Sequence, residues 1–217
     1  MAATRPAGKP IAEPPVVLPD PTIADPAPLG LAAFALTTFI LSLANAHVYP
    51  SAAAAAVYTA IAYGGGVQLL AGMWEFKRNN TFGATAFSSF GGFWIAVFFI
   101  VQVGHIVPGS AETATIFGTF FIGWTIFTAY MTVASLRVSG AVALVFVLLT
   151  LTFVWLTIGA FEVSEGWTKL GGWFGVATAA AAWYASFAGV TNSTFRRVIL
   201  PVFPLADWDV RRTTTEV

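Results

Sequence analysis

The chain has 217 residues, of which 57% are hydrophobic and 9% charged, with ten basic and ten acidic side chains and no cysteine. Soluble domains carry about 25% charged residues, so an ordinary water-soluble fold is excluded. The lack of thiols excludes disulfides, thiolate metal sites and cysteine nucleophiles.

Residues 1–24 hold Pro6, Pro10, Pro14, Pro15, Pro19 and Pro21 and no apolar run. A cleavable signal peptide needs an apolar segment behind basic residues, so this stretch is expected to be a disordered tail. Six apolar stretches free of Asp, Glu, Lys, Arg and His follow: Leu29–Ala46, Ala52–Trp74, Phe82–Gly104, Thr113–Leu136, Val138–Phe161 and Leu170–Phe195. A helix rises about 1.5 Å per residue, and about 20 residues cross a hydrocarbon core about 30 Å thick. The expected fold class is therefore an all-α membrane protein, with six transmembrane helices over residues 25–200 and a short tail over 201–217.

Where the charges sit gives the orientation. Arg5 and Lys9 precede the first stretch, Lys77 and Arg78 follow the second, and Arg137 follows the fourth. Arg196, Arg197, Arg211 and Arg212 follow the sixth, while the alternate loops hold only Lys169, beside Glu162 and Glu165. Nine basic residues against one place both termini in the cytoplasm, in a multi-pass protein of the plasma or inner membrane. Lys169 is expected in an outward-facing loop.

The apolar stretches carry many glycines, among them Gly64, Gly65, Gly66, Gly72, Gly91, Gly92, Gly118, Gly123, Gly171 and Gly175. Small residues let helices approach closely in lipid, within one bundle or between subunits. Gly64, Gln68 and Gly72 recur at i, i+4 and i+8 and form one helical stripe. Gln68 is the one amide well inside a stretch, and a buried amide must bond a neighbouring helix or face water or a substrate. Phe34, Thr38, Leu41 and Asn45 share a face of the first helix, and Thr81, Thr85, Ser88 and Gly92 share one of the third. The fifth adds Thr150, Thr152 and Thr157 around Leu149 and Leu156. Hydroxyls can satisfy themselves on the preceding turn, so such stripes need not line a pore. Trp74, Trp167, Trp173 and Trp208 fit interfacial anchoring, whereas Trp94, Trp124, Trp155 and Trp183 fit packing.

No H-E-x-x-H, G-x-S-x-G, P-loop or Gly-rich dinucleotide turn occurs, so neither an enzyme nor a cofactor is expected. His47 and His105 lie in separate outward loops and make no multi-ligand metal site alone. Proton-coupled carriers usually keep an Asp, Glu or His within the membrane. The nearest candidates are Glu75 and His105, at opposite ends of neighbouring stretches, so coupling through a deep side chain is not expected. A weak acid carrying its own proton needs none. The start of the first helix, Asp25-Pro26-Ala27-Pro28, reads as an Asp N-cap followed by Pro at the first helical position. Helix N-termini also attract anions.

Asp25-Pro-Ala-Pro-Leu-Gly-Leu31 with Phe34 and Thr37-Thr38 resembles the N-P-A-P-L-G-L signature of the acetate uptake transporter family, the succinate–acetate permeases. Tyr63-Gly-Gly-Gly-Val-Gln68 through Gly72, Glu75 and Lys77, then Asn80-Thr-Phe-Gly83, Thr85-Ala-Phe87, Phe90-Gly91 and Phe93-Trp94, is similar to the family's second signature region. Trp124 and Ile158-Gly159 match more loosely, and the resemblance covers roughly residues 25–200. It implies a six-helix protomer in a homo-hexamer, each protomer with its own path for acetate and, in some members, succinate. It also implies an apolar constriction, which by position falls on Phe34, Phe90 and Leu149. Phe90 stands where the family has Tyr, implying a drier constriction, and Asp25 stands where it has Asn, adding charge near the cytoplasmic mouth. The partners implied are acetate and other small carboxylates, the lipid bilayer and further copies of the chain, with no nucleic acid. Asp25, Thr38, Asn45, Gln68, Thr85, Ser88 and Thr150 are the polar candidates along the path. The competing reading is a non-transporting sensor or assembly subunit, whose polar stripes on the first and third helices would be sealed rather than wetted.

Overall fold

A computed structural model describes residues 22–104 and 110–205. The apolar stretches become helices because backbone N–H and C=O groups have no partner in hydrocarbon except one another. The helices are α1 (Ala27–Asn45), α2 (Ala52–Lys77), α3 (Thr81–Val103), α4 (Ala111–Ser135), α5 (Gly140–Phe161) and α6 (Glu165–Phe195). Among the described residues, α1 to α5 are long and apolar enough to cross a membrane, and no strand is present beyond an isolated bridge. At 31 residues α6 is the longest helix, with Glu165 and Lys169 in its first turns. Lys169 therefore lies on a helix rather than in a loop, and its Nζ donates to Glu165 Oε2 at 3.1 Å. Most of residues 1–24, most of 201–217, His105 and Trp208 lie outside the described residues.

Polar residues set the helix starts. The side chains of Asn80, Ser110 and Ser139 accept from the backbone N–H groups of Gly83, Thr113 and Val142 at 3.2, 3.1 and 3.2 Å, capping α3, α4 and α5. The start of α1 differs from the expected Asp25 cap. Pro26 occupies the N-cap position and the helix begins at Ala27, with Pro28 in the first turn. Asp25 sits one residue earlier yet still accepts from Ala27 N–H at 3.1 Å. Proline needs no N–H partner, so two prolines around a helix start cost nothing.

Over Ala60–Val67, α2 widens into a π-helical turn spanning Gly64-Gly65-Gly66. Three consecutive glycines hold a regular helix weakly, and the wider turn shifts the helical phase. That breaks the expected stripe. A Cβ on Gly64 would lie 2.7 Å from Thr37 Oγ1 of α1, whereas one on Gly72 would lie 2.6 Å from Ser88 N of α3.

Side by side, α6 packs along α1 and α5, α4 along α5, and α2 against both α1 and α3. Glycine closes several of these seams. A Cβ on Gly172 would lie 2.7 Å from the carbonyl carbon of Asn45, and one on Gly171 would lie 2.9 Å from the Leu156 side chain. Gly92 and Gly123 have nothing within 4 Å and face away from the bundle. The α3 and α4 backbones barely approach each other, and aromatic rings fill the space between them. Beyond α6 the chain folds back: Asn192 Oδ1 accepts from Ile199 and Leu200 N–H at 2.7 and 3.0 Å, and Phe203 O accepts from Gly140 N–H at 2.6 Å. Residues 201–205, expected as tail, thus lie against the start of α5.

Gly172→Leu should drive α6 off the α1 backbone and lower unfolding stability by about 1–3 kcal/mol, the usual cost of overpacking. Gly123→Ala, on an open face, should leave it unchanged. Thermal unfolding in detergent checks both, and equal melting of the two variants would remove Gly172 from the seam.

Candidate functional site

Phe34, Phe90 and Leu149 meet in the centre of the bundle, all in one buried cluster and each less than 5% exposed. The Phe34 and Phe90 rings lie 5.5 Å apart between centroids. Phe90 also meets Trp124 at 5.5 Å, Phe127 at 5.4 Å and Phe146 at 6.2 Å. Five rings from α1, α3, α4 and α5 therefore close on one point, with Leu149 beside them. Phe93, one turn along α3, extends the belt to Phe120 and Phe153, each at 5.4 Å.

Two cavities flank this belt. One, of 300 Å³, is lined by Leu41, Asn45, Phe93, Trp94, Val97, Phe121 and Leu156 among others, almost all apolar. The other, of 1050 Å³, is lined by Asp25, Leu31, Arg78, Asn80, Ser139, Ser186 and Asn192 among others and is far more polar. Three helices give the same order. Along α1 the wide cavity is met at Leu31, then Phe34 and Thr38, then the narrow cavity at Leu41 and Asn45. On α3 the order is Asn80 before the helix, Phe90, then Trp94 and Val97; on α5 it is Val142, Leu149, then Leu156. The belt separates two chambers on opposite sides of the bundle.

The polar candidates distribute unevenly. Thr38 is buried one turn from Phe34, and its Oγ1 has no hydrogen-bond partner among the described residues. Asn45 lines the narrow cavity and Asp25 the wide one. Asp25 pairs with Arg78 there, so the wall's cation is already neutralised. Thr150 sits at the α4–α5 seam, where its Oγ1 lies 2.9 Å from Thr132 Oγ1 and donates to Phe146 O at 2.9 Å. Gln68 is buried in the α2 wall with Oε1 unpartnered. The shared face of Thr81, Thr85, Ser88 and Gly92 lines neither cavity: Ser88 packs on Gly72 of α2, and Thr81 and Gly92 are exposed. The α1 stripe thus reaches a cavity at Leu41 and Asn45, with Phe34 and Thr38 buried short of it, and the α3 stripe reaches neither cavity.

Sequence reasoning missed three features. Phe127 and Phe146 complete the ring belt around Trp124, which the sequence offered as a packing residue; the two phenylalanines gave no periodic signal, because helices surrounded by lipid and protein are apolar all round. Glu75 looked like an end-of-helix charge but is fully buried, with Oε2 accepting from Asn80 Nδ2 at 2.9 Å. The folded-back segment after α6 brings Val202 into the wall of the wide cavity.

The arrangement can admit a small solute from either side and arrest it at a dry belt. Its likeness to known proteins points the same way. Acetate permease A of Emericella nidulans is 43% identical over 215 residues, covering 89% of this chain and 71% of that protein. The succinate-acetate/proton symporter SatP of Escherichia coli is 35% identical over 180 residues, covering 83% of this chain and 95% of that one. The solved structure of the bacterial acetate channel SatP superposes with a TM-score of 0.78 at 34% identity, over 83% of this chain and 99% of that chain. Residues 10–207 match the model of the GPR1/FUN34/yaaH family across the whole described bundle, and the chain belongs to that family.

Proposed function

We propose that this chain is a multi-pass membrane protein that carries acetate and related small monocarboxylates through a path inside the protomer. The observation that carries this reading is the pair of cavities on opposite sides of the Phe34–Phe90–Leu149 belt. The relatives' names, acetate permease, succinate-acetate/proton symporter and acetate channel, supply the substrate class, and none is an enzyme. In this reading all six helices cross the membrane, both termini are cytoplasmic, and the protomers assemble as a homo-hexamer. The wide cavity, beside the basic Arg78, then opens to the cytoplasm and the narrow one outward.

The belt acts as the selectivity element. A carboxylate stripped of water in an apolar ring costs far more than a neutral acid does, so passage favours either the protonated acid or an anion handed between hydrogen-bond donors. Thr38 Oγ1, buried beside Phe34 without a partner, is placed to donate to a carboxylate oxygen at the belt. Phe90 offers no hydroxyl there, which favours the small monocarboxylate over a dicarboxylate needing two such donors.

Labelled-acetate uptake into proteoliposomes, with protein-free liposomes to subtract unaided leakage of acetic acid, tests the function. Protein-dependent uptake is expected, and uptake equal to empty liposomes would overturn the transport reading. Leu149→Ala should open the belt and raise acetate flux several-fold or admit larger acids; unchanged flux and selectivity would remove Leu149 from the constriction. Asp25→Asn should release Arg78 from its partner and lower the acetate concentration for half-maximal uptake by about two- to five-fold, in line with the strength of an exposed ion pair. That gain should shrink as ionic strength rises.

A further inference from the structure

The seam between α2 and α3 holds three buried oxygens that nothing among the described residues satisfies: Gln68 Oε1, Ser88 Oγ and Glu75 Oε1. Gln68 is 1% exposed and Glu75 is fully enclosed. On α2, Gln68, Gly72 and Glu75 follow at i, i+4 and i+7 and share one face. Close approaches set the antiparallel register of α3 against that face. A Cβ on Gly83 would lie 2.7 Å from Glu75 Oε1, one on Gly72 would lie 2.6 Å from Ser88 N, and one on Gly91 would lie 2.9 Å from Leu69 N.

Gln68 therefore stands level with the aromatic belt, Ser88 one step below it, and Glu75 below that. The column ends at Asn80, which donates to Glu75 Oε2 at 2.9 Å and lines the wide cavity. It runs beside the carboxylate path, joining the level of the belt to one chamber.

A seam built only for packing would be apolar, because unsatisfied buried oxygens destabilise it. Oxygens spaced along a seam suit water or a moving proton, and of these side chains only the carboxyl can hold or release a proton outright. Two ionisable groups act on Glu75: Asp25, ahead of α1, and Arg78, in the turn after α2. They pair with each other, and α3 carries no ionisable residue.

We propose that Glu75 is the proton-exchanging group of the transport cycle, linked to the belt by Ser88 and Gln68 and to the wide cavity by Asn80. The inference rests on the carboxylate-transport reading above. On inward passage a carboxylic acid leaving the belt for the wide cavity loses its O–H proton, which moves through water held by Gln68 Oε1 and Ser88 Oγ to the Glu75 carboxylate. The carboxylate product leaves into the wide cavity. Glu75 then releases the proton to water there and returns to its ionised form, so the step balances without a further reactant.

Two assays on the full-length protein in proteoliposomes separate this role from a structural one. The first is exchange of labelled for unlabelled acetate at equal pH, and the second is acetate accumulation under an inward proton gradient. Glu75→Gln keeps an acceptor for Asn80 and is expected to hold exchange within about twofold of the wild type while accumulation falls about tenfold and loses its pH dependence. Glu75→Asp, which can still titrate, should recover part of the accumulation. Ser88→Ala, a smaller change to the seam, should show the same split more weakly, which keeps the test decisive if Glu75→Gln does not fold. Accumulation at wild-type level in Glu75→Gln or Ser88→Ala overturns the proposal, as does parallel loss of exchange and accumulation in a variant that elutes as the wild type does. Wild-type protein that exchanges acetate but never accumulates it also overturns the proposal and leaves transport standing. Wild-type protein without exchange overturns the transport reading itself.

Discussion

Close backbone contact at glycine is the constraint on which the rest of this bundle depends. Lipid tails are as apolar as the helices, so burial of apolar surface does not drive helices together, and dispersion between closely fitted surfaces must. Gly64 lets Thr37 in, Gly72 admits Ser88, Gly172 meets the end of α1, and Gly171 meets Leu156. These seams hold α2 against α1 and α3, and α6 against α1 and α5. No such seam joins α3 to α4. The tight seams force the bundle to leave room in one place, and the aromatic belt fills it.

That asymmetry explains why the centre is apolar and filled by rings rather than by backbone contact. Paired rings add only about 0.5–1.5 kcal/mol each beyond burial, and most contacts around Phe90 are edge-on or tilted rather than interlocked. Displacing a ring by a rotamer change is therefore cheap beside the cost of bringing a bare carboxylate into the same space. On the proposed path, selection would then fall on the solute's charge and hydration more than on its width, the behaviour expected of a path for a weak acid.

The sequence made the helices legible almost to the residue, because a bilayer demands a length of apolar chain that no other environment does. Five of the six helix starts fall within two residues of the apolar stretches, and α6 starts five residues earlier, since the Glu165–Lys169 pair at an interface can continue a helix that a hydropathy reading ends. The three residues that meet in the buried cluster, Phe34, Phe90 and Leu149, were legible only through the family resemblance; composition could not single out Phe90 among the chain's 20 phenylalanines. The stripe through Gly64, Gln68 and Gly72 misled because regular periodicity was assumed across Gly64-Gly65-Gly66, where the helix widens. Burial of Glu75 was illegible for another reason. It sits two residues from Lys77, in a stretch that reads as solvated, and only the register of α2 on α3 encloses it.

The distribution of charge decides what kind of transporter such a bundle can be. An anion pathway commonly offers fixed positive charge to draw the solute in. Here the wide chamber's Arg78 is bound to Asp25, the narrow chamber's walls carry no charged side chain, and the belt holds none. Among the described residues an acetate anion thus meets no unpaired cation at either chamber wall. Beside donation from Thr38, the proposed path lowers the barrier at the belt by carrying the solute neutral, and that requires a place to put its proton afterwards. In the proposed cycle the buried Glu75 carboxyl on the neighbouring seam, in contact with the chamber side chain Asn80, would supply that place without putting a fixed negative charge into the carboxylate's own path.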